Sequence, residues 1–170
     1  MSSGETIEIT LTDPQAAILN SNADRNLLMM GQGGGKTNTM GNLSYLLSQN
    51  VPDVMGLIAA NTYRQLTNST LKEIFKQWAS LGFTKYTEAN PSGSYVIDRT
   101  PPKTFTPHKY IFRDNDSKIY CKNGAVIVVA SLDNYMALEG MELGWALLDE
   151  TEATKEEAVT EVITARLREK

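Results

Sequence analysis

Among 170 residues there is one cysteine, Cys121, and one histidine, His108. A lone thiol excludes an internal disulfide and any zinc site built on several thiolates, and it fits a reducing compartment. Cys121 is read as a structural thiol. No run of about 18 apolar residues occurs, and the N-terminal MSSGETIEITLTD has no basic segment followed by an apolar core. The chain is therefore expected to be soluble, neither exported nor membrane-spanning. Basic charge is also scarce, with 16 Lys and Arg against 20 Asp and Glu, a net charge of −4 and a pI near 5.1. That balance excludes a surface that is basic all round, so any nucleic-acid contact has to be local or supplied by another part of a larger assembly. Repeats and low-complexity tracts are absent as well.

What is present is a 41% hydrophobic composition, enough for one sizeable core and hence one domain. IEITLT (6–11) alternates apolar with polar and predicts a short strand, followed by a helix from PQAAILN with Asp13 as its N-cap and Pro14 at its first position. NLLMM (26–30) predicts a brief strand that stops at glycines, and Met40, Leu43 and Leu47 then fall at helical spacing. DVMGLIAA is a buried-strand pattern, NTYRQ a loop, and LTNSTLKEIFKQWASLG a helix whose stripe is Leu66, Leu71, Ile74, Phe75 and Trp78. Phe75 and Trp78 are read as core, not as a base-stacking platform. Strands alternating with helices predict a parallel sheet covered on both faces.

Residues 83–118 break that rhythm. Pro91, Pro101, Pro102 and Pro107 punctuate short pieces such as SYVID and KYIF, which predicts an irregular insertion or long loop. SKIYCKNGAVIVVAS reads as a hairpin turning at Asn123-Gly124, with AVIVVAS apolar enough for a central strand. GWALLDE is a further buried run ending in two acids, and a charged helix over about 154–169 closes the chain.

Two pieces carry chemistry. The first is LLMMGQGGGKT, from Leu27 to Thr37. A polyphosphate needs donors that approach without side chains in the way, and Gly31, Gly33, Gly34 and Gly35 free backbone amides to wrap it, with Gln32 among them. The helix beginning near Lys36 adds the partial positive charge of its N-terminus. Lys36 then reaches the β and γ phosphates and the Thr37 hydroxyl ligates Mg²⁺. Met30 stands where a phosphate loop has its first glycine, a turn that Gly31 can make instead. The second piece is Asp149-Glu150, at the end of a buried strand where open α/β sheets place their ligands. Asp149 is the candidate Mg²⁺ ligand and Glu150 the candidate base that orients or deprotonates water. An acid beside the metal ligand favours hydrolysis over transfer to a second substrate. The fold these pieces predict is α/β, a P-loop NTPase with a mainly parallel central sheet flanked by helices.

These residues, in this order and spacing from about Leu11 to Arg168, resemble the ATPase domain of the large terminase subunit, the DNA-packaging motor of tailed bacteriophages. LTDPQAAIL is similar to the segment whose glutamine contacts adenine, which gives Gln15 that role. IAANTYRQLTNSTLKEIF resembles the strand, arginine-bearing loop and helix that follow, and ASLDNYMALEGMELGWALLDETEAT the approach to the acidic motif. VITARLR is similar to the arginine-containing helix after it. The resemblance implies ATP as substrate with Mg²⁺, duplex DNA as the cargo, and a ring of like subunits, a pentamer docked on the portal. It also implies a portal protein and a small terminase subunit as partners. The place is the host cytoplasm during assembly, not the mature virion.

Two departures stand out. The family commonly has an arginine inside the glycine loop, and Gln32 occupies that position; charge for the transition state then has to come from elsewhere, with Arg64, Arg99 and Arg113 as candidates. The resemblance also implies a further strand after VITARLR, lying between the phosphate-loop strand and the acidic strand, and a nuclease domain. Residues 1–170 are thus expected to be an N-terminal piece of a longer protein, lacking its last strands, with weak ATPase activity alone. A basic excess between Lys103 and Lys122 (Lys103, Lys109, Arg113, Lys118, Lys122, against Asp114 and Asp116) is a candidate for sequence-blind phosphate contacts, and His108 reads as a surface residue. The alternative functions are a helicase-like or recombination ATPase, and a nucleotide-binding assembly module without catalysis.

Overall fold

The computed structural model of the chain describes residues 9–29, 33–110, 113 and 117–167, apart from the side chains of residues 153, 161 and 162. Among the described residues five strands, β1 (Met55–Ala60), β2 (Tyr95–Ile97), β3 (Lys118–Cys121), β4 (Val126–Ser131) and β5 (Leu143–Asp149), form one sheet in the order β2-β3-β4-β1-β5. All six residues of β1 are buried, which an unbroken apolar run in a strand covered on both faces requires. β1 runs parallel to β4 and to β5, whereas the β2, β3 and β4 pairings are antiparallel. The sheet is therefore mixed overall and parallel across the three strands that end at the acids.

Alternation along β1 divides the core. Ile58 and Ala60 face a cluster with Ile127, Val129, Met40, Leu66, Ile74 and Trp78. That face is covered by α2 (Lys36–Asn50) and by the helical run α3 (Tyr63–Gln65), a π-helical turn Leu66–Thr70, and α4 (Leu71–Ser80). Leu57 and Ala59 face the other side, against Val128, Leu132, Leu138, Leu143 and Ile163, on the 3-10 segment Leu132–Leu138 and the C-terminal helical stretch that ends with α5 (Thr164–Arg166). Gly56 is required where it stands, because a Cβ there would collide with the Trp145 ring of β5.

Trp78 anchors the helical face. It is fully buried, its indole N–H donates to the Gly41 carbonyl and the Ser44 hydroxyl, each over 3.1 Å, and its ring meets Phe83 and Tyr95 edge-on at 5.1 Å. Such pairs add to area burial. Phe75 stacks on Tyr95 in the same cluster, in agreement with the core reading of both aromatics.

Several sequence expectations are corrected. Residues 9–12 are irregular where a strand over 6–11 is predicted, residues 6–8 lying outside the described residues. The first helix, α1 (Asp13–Leu19), is capped by Thr12, whose N–H donates to Gln15 Oε1 over 2.9 Å, so Asp13 is already helical. Residues 26–29 form no strand, and Leu27 and Met29 are 78% and 82% exposed. The reason is pairing: among the described residues β5 bonds β1 along one edge and on the other makes only an isolated bridge, Leu143 to Leu167. A strand without a neighbour leaves its backbone groups to water. The same open edge explains why Ala146, Leu147 and Leu148, expected to be buried, are only half-buried.

Of the NTYRQ stretch, expected as a loop, Asn61 and Thr62 are irregular but Tyr63–Gln65 are helical, and Thr62 caps α3 by accepting from Gln65 N–H over 3.2 Å. The charged C-terminal helix contains a π-helical segment, Ala158–Ile163, and gives way to extended backbone at Leu167. Among its described residues the proline-rich segment contributes β2 and the start of β3; of KYIF, Lys109 and Tyr110 are irregular and 111–112 lie outside the described residues. Tyr95–Ile97 of SYVID is a strand where an irregular insertion is expected, whereas α2, β1 and the β3–β4 hairpin with Gly124 at φ 99 are present as expected. Cys121 is fully buried, and burial pushes its thiol up to about 12, as suits a structural thiol.

His108 is half-buried, with Nε2–H donating to the Cys121 carbonyl over 2.8 Å and its ring edge-on to Tyr120. It ties the proline-rich segment to β3, so it is an anchor where a surface residue is expected. Burial lowers its pKa, and the bond to Cys121 partly opposes that. With the folded value below the unfolded one, the unfolded chain takes the proton first as pH falls below about 6.5. The stability attributable to His108 is thus present above that pH and lost below it; His108→Gln, compared with the wild type by urea denaturation at neutral and mildly acid pH, is expected to show the smaller acid-induced loss. Trp78→Ala is expected to cost about 3–5 kcal/mol in the same measurement.

Candidate active site

The described part of the glycine loop already has the backbone shape that glycine permits. Gly33 and Gly35 sit at φ 77 and φ 82, and Gly35 is the residue from which α2 springs. Its carbonyl accepts from the Thr39 N–H and the Thr39 hydroxyl, each over 2.9 Å. Lys36 and Thr37, half-buried, are the first two residues of α2, so their side chains and free amides stand at a fifteen-residue helix N-terminus. Met30, Gly31 and Gln32 lie outside the described residues.

Gln15 is buried beside this loop. Its Oε1 accepts from Thr12, and its Nε2 donates to the Gly35 carbonyl over 3.3 Å. The amide thus ties α1 to the loop and keeps one N–H and one lone pair for a further partner.

The acids lie at the C-terminal end of β5, in register with Ala60 of β1. Asp149 is 7% exposed and its Oδ2 accepts from the Thr70 hydroxyl over 2.7 Å. Glu150 is exposed and its Oε2 accepts from the Gln65 side-chain amide. Its backbone sits at φ 50, ψ 55, a left-handed conformation that a non-glycine residue adopts only when the surroundings hold it there. Both donors are neutral, and among the described residues no lysine or arginine pairs with either acid. Among the described residues no three His, Cys, Asp or Glu converge on a metal position.

Sequence reasoning missed Gln65 and Thr70. Thr70 left a signal: it is a polar residue on the buried stripe of Leu66, Ile74 and Trp78, where a hydroxyl needs a buried acceptor. Gln65 left none, since its partner lies 85 positions away.

The arginine candidates separate in space. Arg64 is exposed and adjoins Gln65, at the rim of the acids. Arg99 is exposed beyond β2, four strands from β5, about 19 Å away by strand spacing, so it does not reach the acids of its own chain. Arg113 is exposed between residues outside the description. Lys103, Lys109 and Lys122 are exposed and Lys118 half-buried, so most of the basic excess faces solvent. A cavity of about 330 Å³ lined by Tyr45, Gln49, Phe83, Lys122 and Asn123 lies at the β3–β4 turn, by the N-terminal end of β4, and is not the site of the acids.

A helix springing from a glycine loop, parallel strands that end together and acids at the end of one of them make the fold that of a P-loop NTPase. Neither a protein-family model nor a curated protein sequence matches the chain. Its structure is similar to the large terminase ATPase domain of Thermus phage P74-26 and to an arginine-to-alanine variant of that domain. Each match has 17% identity and a TM-score of 0.61, over 92% of this chain and 60% of that one. The chain thus spans less than two thirds of the length of the domain whose fold it shares. Among the described residues no helix is long and apolar enough to cross a membrane.

The two left-handed glycines differ in surroundings. A Cβ on Gly33 meets nothing within 4 Å, whereas one on Gly35 lies 2.9 Å from Gln15 Nε2. Gly33→Ala should therefore bear the backbone cost alone, about 1–2 kcal/mol, and Gly35→Ala should be the more destabilised of the two in thermal or urea denaturation because Gln15 must also move.

Proposed function

We propose that this chain is the ATPase domain of a DNA-packaging motor of the large-terminase type, hydrolysing ATP with Mg²⁺ to drive viral duplex DNA into a procapsid. The observation that carries the reading is the pair Asp149-Glu150 at the end of β5, held by neutral donors and lacking a described cationic partner, in a fold shared with a large terminase ATPase domain.

The roles follow from the chemistry of each group. Amides of the glycine loop, Gly31 to Gly35, and the α2 N-terminus wrap the phosphates, and Lys36 compensates the β and γ charge. Thr37 and Asp149 would hold Mg²⁺, which when bound neutralises phosphate charge and orients the γ group. Glu150 accepts a proton from, or orients, the attacking water. Gln15, fixed against Gly35, keeps one amide hydrogen and one lone pair for the adenine edge. With glutamine at position 32, positive charge for the transition state would come from Arg64 of the same chain, or from Arg99 or Arg113 of a neighbour.

The reading carries its partners with it: duplex DNA, further copies of the chain in a ring, a portal protein and a small terminase subunit, meeting in the host cytoplasm during assembly. Exposed Lys103, Lys109, Arg113 and Lys122 would give a ring of such chains local, sequence-blind phosphate contacts despite the acidic whole.

Steady-state phosphate release tests it. Glu150→Gln is expected to lower turnover by about 10²–10⁴-fold while ATP still binds, and Lys36→Ala to weaken binding itself. ATP binding with no phosphate release from any preparation, with DNA and in longer chains included, would replace this reading by a nucleotide-binding assembly module.

A further inference from the structure

Asp149 is reached from outside its own strand by Thr70. The hydroxyl of Thr70, on a residue 0% exposed, donates to Oδ2 over 2.7 Å. Thr70 is the last residue of the π-helical turn between α3 and α4, which closes with the Leu71 N–H donating to the Leu66 carbonyl. Turns of this kind are rare and concentrate at functional sites.

The widening has a local cause and a local effect. Leu66 and Leu71 are both buried in one cluster, yet five residues apart on a regular helix they would point about 140° away from each other. A turn that closes over five residues stacks them. Thr70, one place before Leu71, is thereby set against the last residue of β5.

We infer that Thr70 is a positioning residue for the metal-ligating carboxylate. By engaging Oδ2 it fixes the rotation of the Asp149 carboxylate and keeps Oδ1 for a cation or its water shell. Partners behind a ligand tune metal affinity by holding the ligand in one orientation. The inference rests on the reading above of Asp149 as a Mg²⁺ ligand.

The probe is Mn²⁺, followed by electron paramagnetic resonance in the presence of a non-hydrolysable ATP analogue. Thr70→Val keeps the shape and removes the donor, and is expected to weaken Mn²⁺ binding by about 10–100-fold. Thr70→Ser keeps the donor and is expected to restore wild-type affinity. Binding of the analogue in EDTA should be the same in all three, which a general loss of structure would not allow. If the valine variant does not fold, Thr70→Ala carries the same comparison. Wild-type Mn²⁺ affinity in Thr70→Val, or a serine variant as weak as valine, overturns the inference alone. A wild-type chain that binds the analogue but no Mn²⁺ overturns the metal role of Asp149 and this inference with it.

Discussion

Six consecutive registers hold β1 against β4, from Met55–Val126 to Ala60–Ser131, and against β5 a continuous run from Gly56–Trp145 to Ala60–Asp149 follows a register shift after Met55–Leu143. Because the three strands run the same way, their C-terminal ends arrive together, and every connection leaving them starts from one rim of the sheet. That is where the run through α3, the π-helical turn and α4 departs from β1, and where Asp149 and Glu150 leave β5. Gly56 makes the pairing compatible with Trp145, since any side chain there would occupy the indole's space. The aromatic cluster around Trp78 then seals the helical run onto the sheet, and the donors of that run inherit their position from β1.

Much of the fold was legible because its signals are local. Unbroken apolar runs marked β1 and β4, Asn123-Gly124 marked the hairpin, and helical spacing marked α2 and α4. What was illegible depends on neighbours that no window of sequence contains. NLLMM has strand composition, but composition does not supply a partner, and residues 26–29 pair with no described strand. Asp13 and Thr12 are both good caps; which of them serves was decided by Gln15 reaching back to Thr12 and not by propensity. His108 lies in a stretch that reads as exposed loop, and only the hairpin turn, bringing Cys121 beside it, makes it an anchor.

The candidate site divides along the same line. Lys36, Thr37, Asp149 and Glu150 are recognisable because each belongs to a contiguous run whose chemistry is self-explanatory. Gln65 is an ordinary polar residue in sequence and Thr70 a polar one on a buried stripe, and the adjacency of β1 and β5 supplies the partner of each. Asp149 and Glu150 stand out as candidates from their place at the end of a buried run, and the geometry adds which side chains bond them.

Two adjacent acids on a strand ordinarily point to opposite faces. Here both are bonded by side chains of one connection, Asp149 by Thr70 and Glu150 by Gln65. The reconciliation is the backbone of Glu150, which leaves the extended region for φ 50, ψ 55. A left-handed non-glycine residue costs about 1–2 kcal/mol, and the solvent-exposed bond from the Gln65 amide to Glu150 offsets part of it. The left-handed turn at Glu150 thus brings both acids into hydrogen bonds with the one connection that leaves β1.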